Sequence, residues 1–501
     1  MKPSLEIQLA GKNKASFARQ TIDISEKSSS HAQLAFSAVS TSKDEEAHLP
    51  DPESREEKPL QRWNDPKLNM FRYFSTLYSF VVMGMNDAAV GALIPYMEKY
   101  YKVSYTVISL LFLSSFLGYI IAALLNNLIH HHCGQVAVAV LGPLGRLIGY
   151  VPMACHPPFA VLPVMLLFPG FGNGLEDSAW NAWIGNMQNA NELLGFLHGA
   201  YGLGGTIAPL IATAMVTKGN LPWYTFYYLM IGMTGLEGVF AITAFWGATG
   251  RVHRESYKPA AEGGRITTRH VLREPITWTV AVFLLGYVGA EVSLGGWVVS
   301  FMLNVRGAES FAAGLTVTGF WLGLAVGRIV LGFVTGRIGE KLAITIYLML
   351  CIVLQLLYWL VPSFVASAIF VAFLGFILGP LFPAAIVAAT KLLPADYHVS
   401  AIAFAAAFGG GGAAVFPFAV GAIAQSKGVQ VLQPIVLAIL SFIFIVWCFL
   451  PGGLRPGGLE YARDHNEKVG HEVWSAYRWV ASRFFGPKQK PIAASTTGVD
   501  P

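Results

Sequence analysis

VISLLFLSSFLGYIIAALLNNLI, residues 107–129, is a run of 23 residues without a single charged side chain. A helix needs about 20 mainly apolar residues to cross a bilayer, because each residue adds ~1.5 Å across a hydrocarbon core of ~30 Å. The segment is therefore long and apolar enough to span a membrane. Segments like it along the chain would make this an all-α membrane protein.

Eleven further apolar runs of spanning length occur on both sides of this one. They form two sets of six, separated by a polar stretch at 250–275. We predict a major facilitator fold of twelve transmembrane helices in two six-helix bundles. The predicted helices are 70–95, 107–129, 136–155, 160–184, 194–216 and 223–248, followed by 276–303, 311–336, 342–361, 364–390, 398–424 and 429–450.

The polar segments complete the predicted organisation. The domains are a disordered cytosolic tail at 1–66, a first bundle at 67–249, a cytosolic linker at 250–275, a second bundle at 276–450 and a cytosolic tail at 451–501. Basic residues gather in the linker, in the tails and in the loops of the same side, and the positive-inside rule places that side in the cytosol. We expect a multi-pass protein, a monomer, in the plasma membrane rather than a vacuolar or other internal membrane, with both termini cytosolic.

The composition argues against several other classes of protein. With 54% hydrophobic and 13% charged residues, the chain has too few charges to surround a soluble core of 501 residues. The net charge of +5 comes from basic residues at the edges of apolar runs, so we expect no nucleic-acid partner. No phosphate-binding loop or hydrolase signature is present, so we expect an ion gradient as energy source, no cofactor and no enzymatic activity.

Ionisable residues inside the apolar runs are the candidates for function. Each costs ~2.5–3.5 kcal/mol at the bilayer centre, so each requires a partner or a polar cavity. We single out four carboxylates: Asp87, Glu176, Asp177 and Glu291. A carboxylate between apolar walls can take up and release a proton near neutral pH, which is the property that proton coupling needs.

The neighbours of these carboxylates favour a polyhydroxy solute. Helical spacing places Trp180 and Trp183 on the face of Glu176, and Asn181 on the face of Asp177. An indole ring covers the apolar face of a sugar while a carboxylate accepts its hydroxyl protons. The predicted substrate-binding residues are Asn86, Glu176, Trp180, Asn181, Trp183, Glu291 and Trp297.

Simpler structural roles stay open for some of these residues. Asp177 pairs equally well with a neighbouring helix, and Glu291 equally well locks its own helix to the next one. His130, His131 and His132 form a run in a short predicted loop without further ligands nearby, so we expect no metal site.

Several motifs together resemble the major facilitator superfamily, and within it the fucose:proton symporter group, including its fungal branch. They are Asn86-Asp87, Gly172-x-Gly174-x-Glu176, YVGAEVSLG from Tyr287, LHGAYGLGG from Leu197, GFWLGLAVGR from Gly319 and GPLFP at 379–383. The resemblance covers about residues 68–450. It implies proton coupling and sugar recognition for Asp87 and Glu176.

A basic turn between the eighth and ninth helices, GFVTGRIGEK, looks like the interior loop motif that helps gate the cytosolic side in that superfamily. The resemblance implies gating roles for Gly332, Arg337, Gly339 and Lys341, although Gly336 stands where the family usually has Asp. The corresponding turn of the first half, NLIHHHCGQ, lacks the pattern but places Gly134 where Gly339 stands.

We therefore expect a proton-coupled transporter of a sugar or similar small polyhydroxy solute, working by alternating access. Two alternatives remain on sequence grounds. One is a proton antiporter that exports a hydrophobic metabolite or drug, which the many aromatic and Met residues allow. The other is a transporter-like sensor or scaffold that signals through the long tails.

Overall fold

The structure is a computed structural model that describes residues 61–256, 271–394, 397–455 and 457–464. Most of the two predicted tails and part of the predicted linker lie outside these residues. Twelve long helices run through the described ranges. They are α1 Lys67–Tyr101, α2 Tyr105–Cys133, α3 Gln135–Ala154, α4 Val161–Gly185, α5 Ala190–Thr217, α6 Phe226–Phe245, α7 Pro275–Asn304, α8 Ser310–Ile338, α9 Glu340–Leu360, α10 in two segments Phe364–Leu378 and Leu381–Leu392, α11 His398–Lys427 and α12 Leu432–Cys448.

These helices confirm the predicted fold class, and the described residues contain no β-strand. Eleven of them are long and apolar enough to cross a membrane. The twelfth, α4, is long enough but is not in that set. This helix carries Asn173, Glu176, Asp177 and Asn181, and such polar side chains make a helix less apolar. Short helices follow α6 at Gly250–Ser256 and α12 at Gly458–Asp464.

Two local details differ from the sequence prediction. The tenth predicted helix is interrupted at Gly379 and Pro380, because proline lacks a backbone N–H and its ring crowds the preceding turn. The three consecutive histidines do not lie in a loop but form the last turn of α2, which ends at Cys133. Backbone hydrogen bonds within a helix leave no polar group exposed to lipid, so extending helices over these residues is favourable in a bilayer.

The two bundles repeat one packing scheme. In the first, α1 packs against α5 and α6, α2 against α4, and α3 against α4 and α6. In the second, α7 packs against α11 and α12, α8 against α10, and α9 against α10 and α12. Helices at the same position in the two bundles therefore pack against corresponding neighbours, as in a chain built from two related halves.

One glycine makes the same connection in each half. Gly134 alone joins α2 to α3, and Gly339 alone joins α8 to α9. Their φ angles are 79° and 88°, a backbone conformation that residues with a side chain rarely adopt. At Gly134 a Cβ atom would also collide with backbone atoms of Ala248 and Thr249. The weak sequence echo between these two turns thus corresponds to a shared backbone turn.

The bundles meet on one side of the molecule, which we call the distal side: the side where α1 ends at Tyr101 and α2 begins at Tyr105. A Cβ atom at Gly91 of α1 would collide with the backbone oxygen of Gly295 of α7. Closer to the distal ends of α2 and α11, Gln425 accepts a hydrogen bond from the Tyr105 backbone N–H at 3.0 Å. We call the opposite side, where α1 begins at Lys67, the proximal side.

The Gly91 contact predicts how the distal side opens. Gly91→Leu would force α1 away from α7, so we expect faster alkylation of a Cys at position 109, which is buried here against Gly421. The measurement is maleimide labelling of Ser109→Cys in a cysteine-free background in detergent. Gly232→Leu is the matched control, because a Cβ atom at Gly232 would meet no other atom within 4 Å. Equal labelling of both variants would contradict the interpretation that this contact closes the distal side.

Candidate functional site

Asp87 is an exposed residue in a helix that is otherwise largely buried. Its neighbours Asn86 and Ala88 are buried, whereas the Asp87 side chain is accessible. One helical turn towards the distal side, Gly91 touches α7, so Asp87 lies on the proximal side of this contact. The carboxylate is therefore accessible at a level of α1 just proximal to a contact between the bundles.

Three hydrogen-bond donors fix the orientation of the Asp87 carboxylate. Asn86 Nδ2 donates to Oδ1 at 2.8 Å, and Asn173 Nδ2 donates to the same oxygen at 3.1 Å. The Tyr201 hydroxyl donates to Oδ2 at 2.9 Å. Helices α1, α4 and α5 each supply one donor, so the side chain is held from several directions in a preorganised position.

Behind Asp87, a single guanidinium group joins two other carboxylates. Arg146 of α3 donates through Nη2 to Glu176 Oε2 at 2.7 Å and through Nη1 to Glu237 Oε1 at 2.6 Å. The side chains of all three residues are 0% exposed. The fork of the guanidinium suits this arrangement because its donors point in fixed, different directions. Helices α3, α4 and α6 are thereby tied together at one point.

Asn173 connects this buried cluster to the accessible carboxylate. Arg146 Nε donates to Asn173 Oδ1 at 2.9 Å, and the amide nitrogen of Asn173 donates to Asp87. Arginine can only donate and an ionised aspartate can only accept, which fixes the orientation of the amide. A second link leads from the same face of α3, where Tyr150 donates to Asn86 Oδ1 at 2.7 Å.

One turn further along α4, Asp177 has its own partners. The Tyr119 hydroxyl of α2 donates to Asp177 Oδ2, and Asn181 Nδ2 donates to Asp177 Oδ1 at 2.8 Å. The sequence placed Asn181 and Asp177 on one face, and they are hydrogen-bonded. Asp177 is thus paired with the neighbouring helix α2, which is the structural role that the sequence left open for it.

The second bundle contributes one ion pair near the same centre. Arg328 of α8 donates through Nη2 to Glu291 Oε1 of α7 at 3.2 Å. Their side chains are 17% and 6% exposed, respectively. Both charges act electrostatically on Tyr201, the residue that donates to Asp87. Helices of both bundles therefore supply polar groups to one central region.

The three predicted tryptophans occupy packed positions. Trp180 is buried and stacks on Phe245, with ring centroids 4.4 Å apart. Trp183 is half-buried and meets the edge of the same ring. Trp297 is buried, and its Nε1 donates to the backbone oxygen of Pro417 at 2.9 Å. Substrate contact by these residues remains a prediction.

The predicted gating residues lie together at the proximal end of α8 and the start of α9. Gly332 and Arg337 are exposed on α8, and Gly339 forms the turn. Lys341 is buried, and its ammonium donates to the backbone oxygen of Leu450, just beyond α12. These contacts lie within the second bundle, and the gating role stays a prediction.

Sequence reasoning overlooked Arg146, Glu237 and Arg328. A usable signal was present, because each is an ionisable residue inside an apolar helix and falls under the criterion that was applied to carboxylates. The two arginines and the single carboxylate of α6 also need a partner or a polar cavity, just as the four carboxylates do. The described residues contain no cluster of His, Cys, Asp and Glu with the geometry of a metal site.

Comparison with known proteins gives a consistent family. The family model described as the Major Facilitator Superfamily matches residues 76–316 and 293–486. Bypass of stop codon protein 6 of Saccharomyces cerevisiae is 29% identical over 431 residues, covering 80% of this chain and 86% of that protein. The glucose/mannose transporter GlcP of Bacillus subtilis is 23% identical, covering 68% of this chain and 85% of that protein.

The fold also matches a solved structure. The crystal structure of the Major Facilitator Superfamily transporter FucP in the outward conformation superposes with a TM-score of 0.54. The match covers 76% of this chain and 99% of that chain at 13% sequence identity. At this identity the likeness shows the fold alone.

The buried cluster generates a stability prediction. Arg146→Met leaves two buried carboxylates without their cation, so we expect a loss of about 3–5 kcal/mol, as in other broken buried ion pairs. The measurement is thermal unfolding of the purified protein in detergent. Arg337→Met is the matched control, because Arg337 is exposed.

A triple variant separates charge from packing in this cluster. Adding Glu176→Gln and Glu237→Gln to Arg146→Met removes the uncompensated charges, so we expect most of the lost stability to return. A triple variant as unstable as Arg146→Met alone would mean that the guanidinium acts mainly by filling space.

Proposed function

This chain belongs to the major facilitator superfamily, and we propose that it is a proton-coupled transporter of a sugar or similar small polyhydroxy solute. It is a multi-pass integral membrane protein of the transporter fold, whose members bind small-molecule substrates. The observation that carries the finer proposal is the accessible Asp87 carboxylate between the bundles, held by three donors. Its fixed position leaves accepting capacity for the hydroxyl groups of a solute.

Unpaired donors in the second bundle support a solute rich in hydroxyl groups. Tyr287 Oη, Arg328 Nε and Trp321 Nε1 are buried and have no hydrogen-bond partner among the described residues. Buried polar atoms without partners are costly, and each of these could bind a solute hydroxyl. Trp321 also contacts Gly205 of the first bundle, so its indole lies at the boundary between the bundles.

Two relatives support sugars as the class of solute. GlcP is named a glucose/mannose transporter, and a protein of Brucella abortus, 23% identical over 279 residues, is named a glucose/galactose transporter. That match covers 52% of this chain and 66% of the Brucella protein. Each hydroxyl group of a sugar can both donate and accept a hydrogen bond, so a site that combines carboxylate acceptors with amide, hydroxyl and guanidinium donors suits it.

Alternating access would use the two bundles as rigid units. Contacts at Gly91 and Tyr105 join the bundles on the distal side, and Asp87 is accessible on the proximal side of the Gly91 contact. Lys67, Arg72 and the predicted gating residues Arg337 and Lys341 lie on the proximal side. By the positive-inside rule we assign this side to the cytosol. The plasma membrane is the location we propose.

The direct test is uptake into proteoliposomes with and without an imposed pH gradient. Radiolabelled glucose, galactose, mannose and fucose form the panel. We expect at least one sugar to accumulate inside vesicles when the outside is acidic, and Asp87→Asn to abolish that accumulation. Asp65→Asn is the matched control, because Asp65 is exposed outside the helices.

Two outcomes would contradict the proposal. If both Asp87→Asn and Glu176→Gln accumulated sugar normally with an unchanged pH response, neither carboxylate would take part in coupling. Efflux of an apolar compound under the gradient, with no sugar uptake, would indicate the antiporter instead.

A further inference from the structure

We propose that Glu176 and Glu237 share one proton, and that this buried carboxyl pair is the coupling site, with Glu237 as its previously unassigned member. The inference rests on the proposed function and deepens it, since it names the atoms that hold the coupled proton. It places that proton on the carboxyl pair that Arg146 joins, deeper than the accessible Asp87.

The count of charges in the cluster requires a compensating cation. Arg146 remains protonated in proteins, so it contributes one positive charge against two carboxylates. All three side chains are fully buried, and an uncompensated charge in such surroundings is very costly. Within the described ranges, Arg146 is the cation recorded in contact with either carboxylate. A single proton makes the cluster neutral.

The geometry provides a place for that proton. Arg146 occupies Oε2 of Glu176 and Oε1 of Glu237, which leaves the other oxygen of each carboxylate. Those two atoms, Glu176 Oε1 and Glu237 Oε2, are buried and lack any donor. The two carboxyl groups bind the two terminal nitrogens of one guanidinium group, so they lie side by side against it. A proton on one oxygen would donate to the other and satisfy both, as in carboxylate pairs that cannot both ionise.

The backbone leaves room for this arrangement. A Cβ atom at Gly142 of α3 would collide with the Glu176 carboxyl group, including Oε1. Glycine at this position lets the carboxyl group approach the backbone of α3 closely. An alanine there would displace the unpaired oxygen.

Groups on the neighbouring helices α1 and α3 are consistent with one bound proton. From α1, the Ser79 and Tyr78 side chains lie near Glu237, and the Ser79 hydroxyl makes no hydrogen bond to it. From α3, Tyr150 lies near Arg146. None of these three hydroxyls adds a positive charge, and Asp87, which lies near Arg146, adds a negative one.

The same network connects the proton to the solute. Asn173 bonds to Arg146 on one side and to Asp87 on the other. A solute hydroxyl that binds Asp87 competes with Asn173, which shifts the bonds of Arg146 and hence the balance between the two carboxylates. Loading of the pair and binding at Asp87 thereby influence each other without direct contact.

Infrared spectroscopy tests the shared proton without depending on transport. Purified protein at neutral pH should show the carbonyl stretch of one buried protonated carboxyl group. Glu176→Gln and Glu237→Gln should each lose it, because the remaining carboxylate ionises against Arg146. Glu237→Asp should keep it, and Glu192→Gln, which alters an exposed carboxylate, is the matched control.

Vesicle uptake supplies the functional half of the experiment. Glu237→Gln should still equilibrate the sugar across the membrane, but its accumulation under a pH gradient should fall to the level of vesicles without a gradient. Glu192→Gln should accumulate sugar as the unaltered protein does.

The outcomes separate the two proposals. A carboxyl band that persists in Glu237→Gln, or gradient-driven accumulation that survives in it, would overturn the shared proton. So would a missing band in the unaltered protein together with accumulation that depends on sodium. Failure to transport any sugar, with the band present and lost as described, would overturn the proposed substrate class and leave the proton pair standing.

Discussion

The central constraint on this protein is that a charge placed among apolar helices must be matched there, because neither lipid nor protein interior solvates it. Arg146 meets that constraint for the first bundle. One side chain binds Glu176 and Glu237 directly and reaches Asp87 through Asn173, so four helices converge on it. Conversely, the helix that carries each of these carboxylates does not by itself supply the partner that makes its burial possible.

The bundles satisfy the constraint differently. The first holds three interacting ionisable groups at complete burial, two carboxyl groups to one guanidinium, whereas the second holds the Glu291 and Arg328 pair, in which positive and negative charge balance. An excess carboxylate is therefore a property of the first bundle. This asymmetry contrasts with the packing of helices, which is closely repeated between the halves.

Contacts between the bundles are of another kind. They depend on close backbone approach at Gly91 and Gly295 and on apolar or neutral side chains such as Trp321 against Gly205. Such surfaces separate without exposing charge, whereas separating α3 from α4 or α6 would break a buried ion pair. Motion between the bundles is accordingly less costly than motion within the first one, which fits the proposed alternating access. Fold alone does not identify a solute, so the substrate class depends on the chemistry of the site.

The sequence by itself determined the fold class, because spanning length and apolarity are local properties that lipid enforces on each segment separately. Helix positions followed within a few residues, except where Pro380 interrupts α10. It also identified Asp87, Glu176 and Glu291 as residues that need partners, although the same criterion was not applied to Arg146, Glu237 and Arg328.

Only the tertiary structure decided which partners those residues have. Glu176 and Glu237 both bind Arg146 although 30 and 91 residues separate them from it along the chain. Helical periodicity gives the face on which a residue lies, but in helices that are apolar nearly all round it does not say which neighbour that face meets. For the same reason Trp180 and Trp297, predicted to line the cavity, were found packed against Phe245 and Pro417, since helix packing sets the direction in which each face points.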